Sequence, residues 1–138
     1  MEQRYFSILQ DAGIRPSIQR IAIYKYLCEK HNHPTADTVH KALESAYPTL
    51  SRTTCYNTLK LFEEKNIIQS IQIEDEAVRY DADISDHLHF KCINCLNVFD
   101  MFIKDKDNYS NSINTNIANE FNAIKIQTNI WGTCPQCS

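Results

Sequence analysis

Apolar side chains recur every three or four positions across the first 65 residues, a period that predicts helices. Ser17, Thr35 and Ser51 stand just before such runs, where a side-chain oxygen caps a helix N-terminus. The pattern predicts four helices, over about 3–12, 18–28, 36–46 and 52–65. Buried stripes are expected on the third helix, at Val39, Ala42, Leu43 and Ala46, and on the fourth, at Cys55, Leu59 and Phe62.

After residue 66, apolar and polar residues alternate as they do in half-buried strands. Residues 67–73 and 77–81 form a predicted hairpin around an acidic turn at 74–76. Helices followed by a hairpin are typical of a winged helix, in which the fourth helix reads DNA and the hairpin is the wing. Further strands are expected at 87–92, 96–102 and 121–130, after a helical stripe of Ile113, Ile117 and Phe121.

This order of elements predicts an α+β chain with two domains. A winged-helix DNA-binding domain occupies residues 1–81, a hinge occupies 82–86, and a small α/β domain occupies 87–138. Within 138 residues, two small cores need additional stabilisation, such as a structural metal ion.

Composition and charge narrow the class of protein. Charged residues make up 22% and hydrophobic residues 43%, as in ordinary soluble globular proteins. With no apolar run of about 18 residues and no signal-peptide core, we expect a cytoplasmic protein. The net charge of −3 counts against a strongly basic DNA binder, yet residues 1–65 carry nine Lys/Arg against seven Asp/Glu. Positive charge is therefore concentrated in the predicted DNA-binding part.

The fourth predicted helix carries a second, polar stripe. Arg52, Tyr56 and Lys60 recur at i, i+4 and i+8, flanked by Thr53 and Asn57. A set of cation, aromatic, amide and hydroxyl groups contacts phosphates and base edges. A solvated helix face is the alternative, and the hairpin that follows favours DNA binding.

Four cysteines form two C-x-x-C pairs with 38 residues between them: Cys92, Cys95, Cys134 and Cys137. In a reducing compartment such pairs indicate metal binding rather than disulfides. Four thiolates fit a closed, tetrahedral, structural Zn(II) site. An iron–sulfur cluster and unrelated core cysteines are the alternatives. Cys28 and Cys55 lie on apolar helix stripes and are expected in the core.

Imidazole and carboxylate groups predict a second, separate metal site. His87 and His89 share one face of their strand, opposite the first cysteine of the zinc set. Asp100 lies roughly across the next hairpin, Asp81 ends the wing, and His33 precedes the third helix. Such a set of nitrogen and oxygen ligands suits iron, manganese or zinc.

These residues together resemble the ferric uptake regulator (Fur) family of bacterial metal-dependent repressors, along nearly the whole chain. The motifs are His33-Pro-Thr-Ala-Asp37, Ser51-Arg-Thr-Thr-Cys-Tyr-Asn-Thr-Leu59, Arg79-Tyr-Asp81, His87-Leu-His-Phe-Lys-Cys-Ile-Asn-Cys95 and Cys134-Pro-Gln-Cys137. The resemblance implies a homodimer, a C-terminal dimerisation domain with structural zinc, and a palindromic double-stranded DNA operator. It places the regulatory metal on His33, Asp81, His87, His89 and Asp100.

Within the family, the chain is most similar to the peroxide-sensing (PerR) branch. Asp100 occupies the family's last regulatory ligand position, where peroxide sensors often carry Asp and iron sensors more often Glu. The implied function is a metal-dependent repressor whose regulatory Fe(II) or Mn(II) site senses peroxide through oxidation of His33 or His87. An iron-responsive or other metal-responsive repressor of the same family is the alternative. Neither enzymatic activity nor a small-molecule substrate is expected.

The chain departs from the family pattern at three places. Residues 15–20 read Arg-Pro-Ser-Ile-Gln-Arg where Arg-x-Thr-Pro-Gln-Arg is common, Cys55 replaces an aliphatic residue, and Leu96 replaces a glycine. None of these changes removes a ligand, but the first leaves the geometry at the start of the second helix open.

Two other classes of protein would use the same residues. A metalloenzyme would bind iron through His87, His89 and Asp100, but the sequence indicates no substrate pocket and gives the winged helix no role. A zinc-ribbon interaction module would lack the regulatory metal. Substrate turnover would favour the first class, and DNA binding indifferent to metal would favour the second.

Overall fold

The computed structural model describes residues 2–109, 113, 121 and 125–138. The chain divides into two compact units, Met1–Ile84 and Ser85–Ser138. Their boundary falls inside the segment 82–86, whose role as a hinge stays a prediction.

Unit 1 has the element order of a winged helix. Its helices are α1 (Glu2–Asp11), α2 (Ile18–Lys30), α3 (Ala36–Leu43) and α4 (Arg52–Glu64). An antiparallel hairpin of β1 (Gln69–Ile71) and β2 (Arg79–Asp81) follows. The helices pack around one apolar core that includes Leu9, Ile23, Leu27, Val39, Leu59 and Phe62. The fold class is α+β, as predicted.

Side-chain caps begin three of these helices where the sequence predicts them. The Ser17 hydroxyl oxygen accepts the Arg20 N–H at 3.2 Å. Thr35 caps α3 in the same way, and Ser51 caps α4. Each cap satisfies one backbone donor that the first turn of a helix leaves without an intrahelical partner.

The third helix is shorter than its predicted stripe. Val39 is buried and Leu43 is partly buried, but Ala42 and Ala46 are exposed, so the prediction was wrong for both alanines. Val39 and Leu43 form the face of this eight-residue helix that packs on the core. Ala42 lies beside that face, and Ala46 lies beyond the end of the helix at Leu43.

Unit 2 is built on a three-stranded sheet with the order β4-β3-β5. Strand β3 (His87–Cys92) pairs antiparallel with β4 (Val98–Phe102) and parallel with β5 (Asn129–Gly132). The strand predicted at 121–130 was wrong in its bounds, since residues 125–128 lie outside any strand. Of the predicted helical stripe, Ile117 lies outside the described residues, and Phe121 is exposed and not helical.

Among the described helices, none combines the length and the apolar character that a membrane crossing requires.

Candidate metal centres

The four cysteines of unit 2 lie together, as the spacing predicts. One sulfur from each of Cys92, Cys95, Cys134 and Cys137 lies within 4.8 Å of the other three. The sulfurs of Cys95 and Cys134 are 3.8 Å apart. A tetrahedral site with Zn–S bonds of about 2.3 Å has sulfur–sulfur edges of about 3.8 Å. The donor set and its spacing therefore fit zinc.

The strand pairing explains why residues so distant in sequence meet. Cys92 pairs with Gly132 across β3 and β5, so the turn after β5 reaches the end of β3. The backbone N–H groups of Cys95 and Cys134 each donate to the Cys92 sulfur at 3.4 Å. These two hydrogen bonds, from Cys95 first, stabilise the thiolate and lower the pKa of Cys92 to about 6. A thiolate is the form that a metal ion binds.

A second cluster in unit 2 joins β3 to β4. His87 and His89 share one face of β3, with their ring centroids 4.6 Å apart, and His89 is the register partner of Asp100. The Asp100 Oδ1 atom lies 3.2 Å from His87 Nε2 and 3.6 Å from His89 Nε2. Two nitrogens and an oxygen bound to one metal at about 2.1 Å would lie about 3 Å apart, so the cluster fits a small divalent cation.

The chain backbone fixes which nitrogen of His87 faces Asp100. His87 Nδ1 lies 2.7 Å from the Ser85 carbonyl oxygen, which can only accept, so Nδ1 carries the hydrogen. In the neutral ring, Nε2 then presents a lone pair to a carboxylate oxygen. That approach favours a cation between the two atoms, either a proton or a metal ion. The Ser85 carbonyl has the orienting role common beside metal-bound histidines, and no sequence signal indicates it.

Unit 1 brings two further predicted ligands together. His33 and Asp81 are both buried, and His33 Nε2 lies 3.6 Å from Asp81 Oδ2. Asp81 is the last residue of β2, and His33 lies in the loop before the Thr35 cap of α3. A buried carboxylate beside an imidazole is a suitable part of a metal site.

Comparisons with known proteins agree with this arrangement. A sequence profile of the Ferric uptake regulator family matches residues 11–129. The chain belongs to the ferric uptake regulator family. The peroxide operon regulator of Bacillus subtilis (strain 168) is 34% identical over 133 residues, covering 94% of this chain and 88% of that protein. The peroxide-responsive repressor PerR of Staphylococcus epidermidis is 31% identical over 129 residues, covering 94% and 85% respectively.

A solved structure supports the same fold for this Fur-family chain. The ferric uptake regulator of Helicobacter pylori, described as having three functional metal-binding sites, aligns with a TM-score of 0.76 at 18% identity. The alignment covers 98% of this chain and 89% of that one. The predicted membership of the family is therefore confirmed, and the chain is a transcriptional regulator of the Fur family.

In this Fur-family chain, the predicted DNA-reading residues lie on the exposed face of α4. Arg52, Thr53, Tyr56, Asn57 and Lys60 are all exposed. The opposite face buries Cys55, Leu59 and Phe62, and burial raises the pKa of the Cys55 thiol to about 11. Cys55 is thus an inert core residue. Their exposure leaves the polar residues available to a partner, while contact with DNA stays a prediction.

Sequence reasoning missed one contact on that face. The Arg52 guanidinium donates to Asp37 Oδ1 through Nε at 3.1 Å and through Nη2 at 2.6 Å. Asp37 lies in the first turn of α3, where a carboxylate also interacts favourably with the helix dipole. The sequence signal that could have predicted this contact is a pair of opposite charges, Asp37 in the first turn of α3 and Arg52 in the first turn of α4.

Proposed function

We propose that this chain is a dimeric, metal-dependent transcriptional repressor that senses peroxide through a regulatory Fe(II) or Mn(II) site. The His87, His89 and Asp100 cluster carries the proposal, because its atoms are spaced as ligands and one histidine is oriented by the Ser85 carbonyl. The similarity to a peroxide operon regulator of Bacillus subtilis and to a peroxide-responsive repressor of Staphylococcus epidermidis supports the choice of signal.

The regulatory site is proposed to use ligands from both units. His33 and Asp81 of unit 1 and His87, His89 and Asp100 of unit 2 would hold one metal ion. Each group forms a compact polar cluster within its own unit. Because a shared ion binds only one arrangement of the units well, it would shift the population toward that arrangement.

Zinc on Cys92, Cys95, Cys134 and Cys137 is proposed as structural. The cysteines offer four sulfur ligands, which leaves no open position for a reacting group. The metal would tie the turn after β3 to the turn after β5 and so close the sheet of a small unit.

Operator recognition is assigned to α4. A dimer presents two copies of this helix, and two half-sites related by a two-fold axis give a palindromic operator. Arg52 and Lys60 would neutralise phosphates, while Tyr56, Asn57 and Thr53 would contact base edges. Such a repressor works where the operator DNA lies, in the cytoplasm, and needs no small-molecule substrate or enzymatic turnover.

The response to peroxide would end in the loss of a ligand. Fe(II) held by the proposed ligands would supply the chemistry that activates hydrogen peroxide. In the net reaction, one peroxide oxygen would be inserted into a C–H bond of an imidazole ring, and the other would leave as water. His33 and His87 are the proposed targets. An oxidised ring is a poorer ligand, so the site would lose affinity for the metal and the operator would be released.

The test is operator binding with Fe(II), Mn(II) and Zn(II), each with and without hydrogen peroxide. The DNA probe is a duplex selected from a random-sequence pool by the Mn(II)-loaded protein. We expect metal-dependent binding in all cases where the regulatory site is filled, with release by micromolar peroxide only for the Fe(II) form. Binding that follows iron and ignores peroxide would favour an iron-responsive repressor instead. Binding indifferent to added metal would contradict both.

A further inference from the structure

The side chain of Arg79 joins two segments of unit 1 that are distant in sequence. Its Nε donates to the Glu74 carboxylate, which lies in the turn between β1 and β2. Its Nη1 donates to the His33 carbonyl oxygen at 3.2 Å. The Arg79 and Glu74 side chains are only 21% and 25% exposed, so water screens this ion pair less than it would a pair on the surface.

The backbone at His33 needs such support. His33 has a φ of 47°, the left-handed region that residues other than glycine adopt at an energetic cost. Residues persist there only where the surrounding structure fixes them. Beside the Arg79 bond, the Tyr80 N–H donates to the Pro34 carbonyl at 2.9 Å, and Thr35 forms an isolated antiparallel bridge with Arg79.

These contacts set the direction of a proposed ligand. With its backbone held in this conformation, His33 directs Nε2 toward Asp81, 3.6 Å away at the end of β2. Asp81 and Arg79 belong to the same short strand, so the loop before α3 and the hairpin are fixed to each other at this point.

We propose that Arg79, held by Glu74, is a positioning residue for the regulatory metal and couples that metal to the β1–β2 hairpin. The inference rests on the regulatory site proposed above. It adds the contacts within unit 1 that couple metal binding to the β1–β2 hairpin. A metal on His33 and Asp81 favours the loop conformation in which Arg79 donates to the His33 carbonyl oxygen. That conformation in turn keeps the Arg79–Glu74 contact in place. The coupling is reciprocal: whatever holds the hairpin also strengthens metal binding.

The coupling predicts a change in the hairpin that can be measured without DNA. Amide groups of residues 69–81 should exchange hydrogen with solvent more slowly when Mn(II) is bound, because exchange reports local opening. In wild-type protein with its zinc in place, we expect saturating Mn(II) to slow exchange of this segment by roughly tenfold or more, as for a coupling of ordinary size.

Three variants of the full chain separate the effect of the Arg79–Glu74 contact from general effects of charge. Glu74→Gln keeps the shape of the side chain and removes its charge, and Arg79→Lys keeps the charge and removes the planar fork. Asp75→Asn is the matched control, because it removes one negative charge from the same turn at an exposed position. Mn(II) affinity is measured by electron paramagnetic resonance of the free ion, and exchange of residues 69–81 by mass spectrometry with and without saturating Mn(II).

We expect Glu74→Gln and Arg79→Lys to bind Mn(II) about tenfold more weakly, the low end of the effect of groups that orient metal ligands. Even when saturated with Mn(II), both should lose most of the added exchange protection in the hairpin, and Asp75→Asn should match wild type. A merely stabilising salt bridge would raise exchange equally with and without metal, and that result would overturn the proposal. Unchanged affinity and protection in Glu74→Gln would also overturn it, even if Arg79→Lys failed to fold. Failure of the wild type to bind Mn(II) would instead contradict the proposed function itself.

Discussion

His89 and Asp100 are register partners on adjacent strands, with His89 Nε2 3.6 Å from Asp100 Oδ1. The pairing fixes the carboxylate by strand geometry rather than by a loop. A side chain one methylene longer would carry its oxygens further from β4. In the proposed regulatory site, the length of this one side chain would therefore affect how many coordination positions the metal has left for peroxide.

Asp100→Glu should keep metal-dependent DNA binding but greatly slow the loss of binding in peroxide. The reason is that geometry, more than affinity, controls access to a metal site of this type. Mass spectrometry of the iron-loaded wild type should show one added oxygen on the peptide containing His33 or His87. The manganese-loaded protein should show none. Asp107→Glu, an exposed change in the same unit, is the control and should respond to peroxide as wild type does. An iron-loaded wild type that keeps its operator and unmodified histidines in micromolar peroxide would contradict the peroxide-sensing proposal.

Cys95→Ser should remove one zinc ion per chain and dissociate the dimer. A four-thiolate site contributes on the order of 10 kcal/mol to folding, and one lost thiolate removes a large part of that. Zinc content by elemental mass spectrometry and mass by analytical ultracentrifugation measure the two effects. Cys28→Ser is the control, since Cys28 belongs to unit 1, and it should leave zinc content unchanged. A stable dimer without zinc would rule out the structural role.

Tyr56→Ala should cost about 1–3 kcal/mol of discrimination between the operator and unrelated DNA, because a base contact carries sequence information. Lys60→Ala should weaken binding to all DNA by a similar factor and reduce the salt slope by about one, as expected for a phosphate contact. Fluorescence anisotropy at several salt concentrations measures both. Lys65→Ala, at the C-cap of α4 and outside the predicted DNA-reading stripe, is the control for loss of a positive charge. If Tyr56→Ala and Arg52→Ala together leave operator affinity unchanged, α4 does not read DNA.

Leu96→Gly should stabilise unit 2 by about 1 kcal/mol, because Leu96 has a φ of 66° that costs a residue with a Cβ about that amount. The Leu96 side chain is 58% exposed, so little packing is lost. Thermal unfolding of the zinc-loaded protein measures the change. Ile93→Gly, in the same turn but without a positive φ, is the matched control and should destabilise by about 0.5–1 kcal/mol. Equal destabilisation by both substitutions would show that the turn is not strained.

Local sequence signals predicted the parts of the fold that local physics controls. A serine or threonine before an apolar run identified the caps at Ser17, Thr35 and Ser51, because capping involves only the next three residues. The cysteine cluster followed from spacing, since two C-x-x-C pairs are typical of a single four-thiolate metal site.

Other features depend on contacts that spacing does not contain. The end of α3 and the face of α3 that meets the core depend on tertiary contacts, so two exposed alanines were placed in the core by their period alone. The bounds of β5 depend on its parallel register with β3, and alternation at 121–130 gave no information about that partner. The left-handed backbone of His33 follows from Arg79 and Tyr80, 46 and 47 positions further along the chain.

The parallel pairing of β5 with β3 also has a consequence for the order of assembly. β3 and β4 can form a hairpin early, because only a short turn separates them, whereas β5 must return across more than 30 residues of intervening chain. In the proposed zinc site, the two thiols that follow β5 would join Cys92 at the end of β3 and Cys95 in the turn after it, so metal supply would control whether that late step is retained. In a cell short of zinc, we expect chains with the hairpin formed and the far edge of β3 exposed. An open strand edge is a template for pairing with other chains. Zinc shortage would therefore appear first as aggregation and turnover of the protein, before any change in its affinity for DNA.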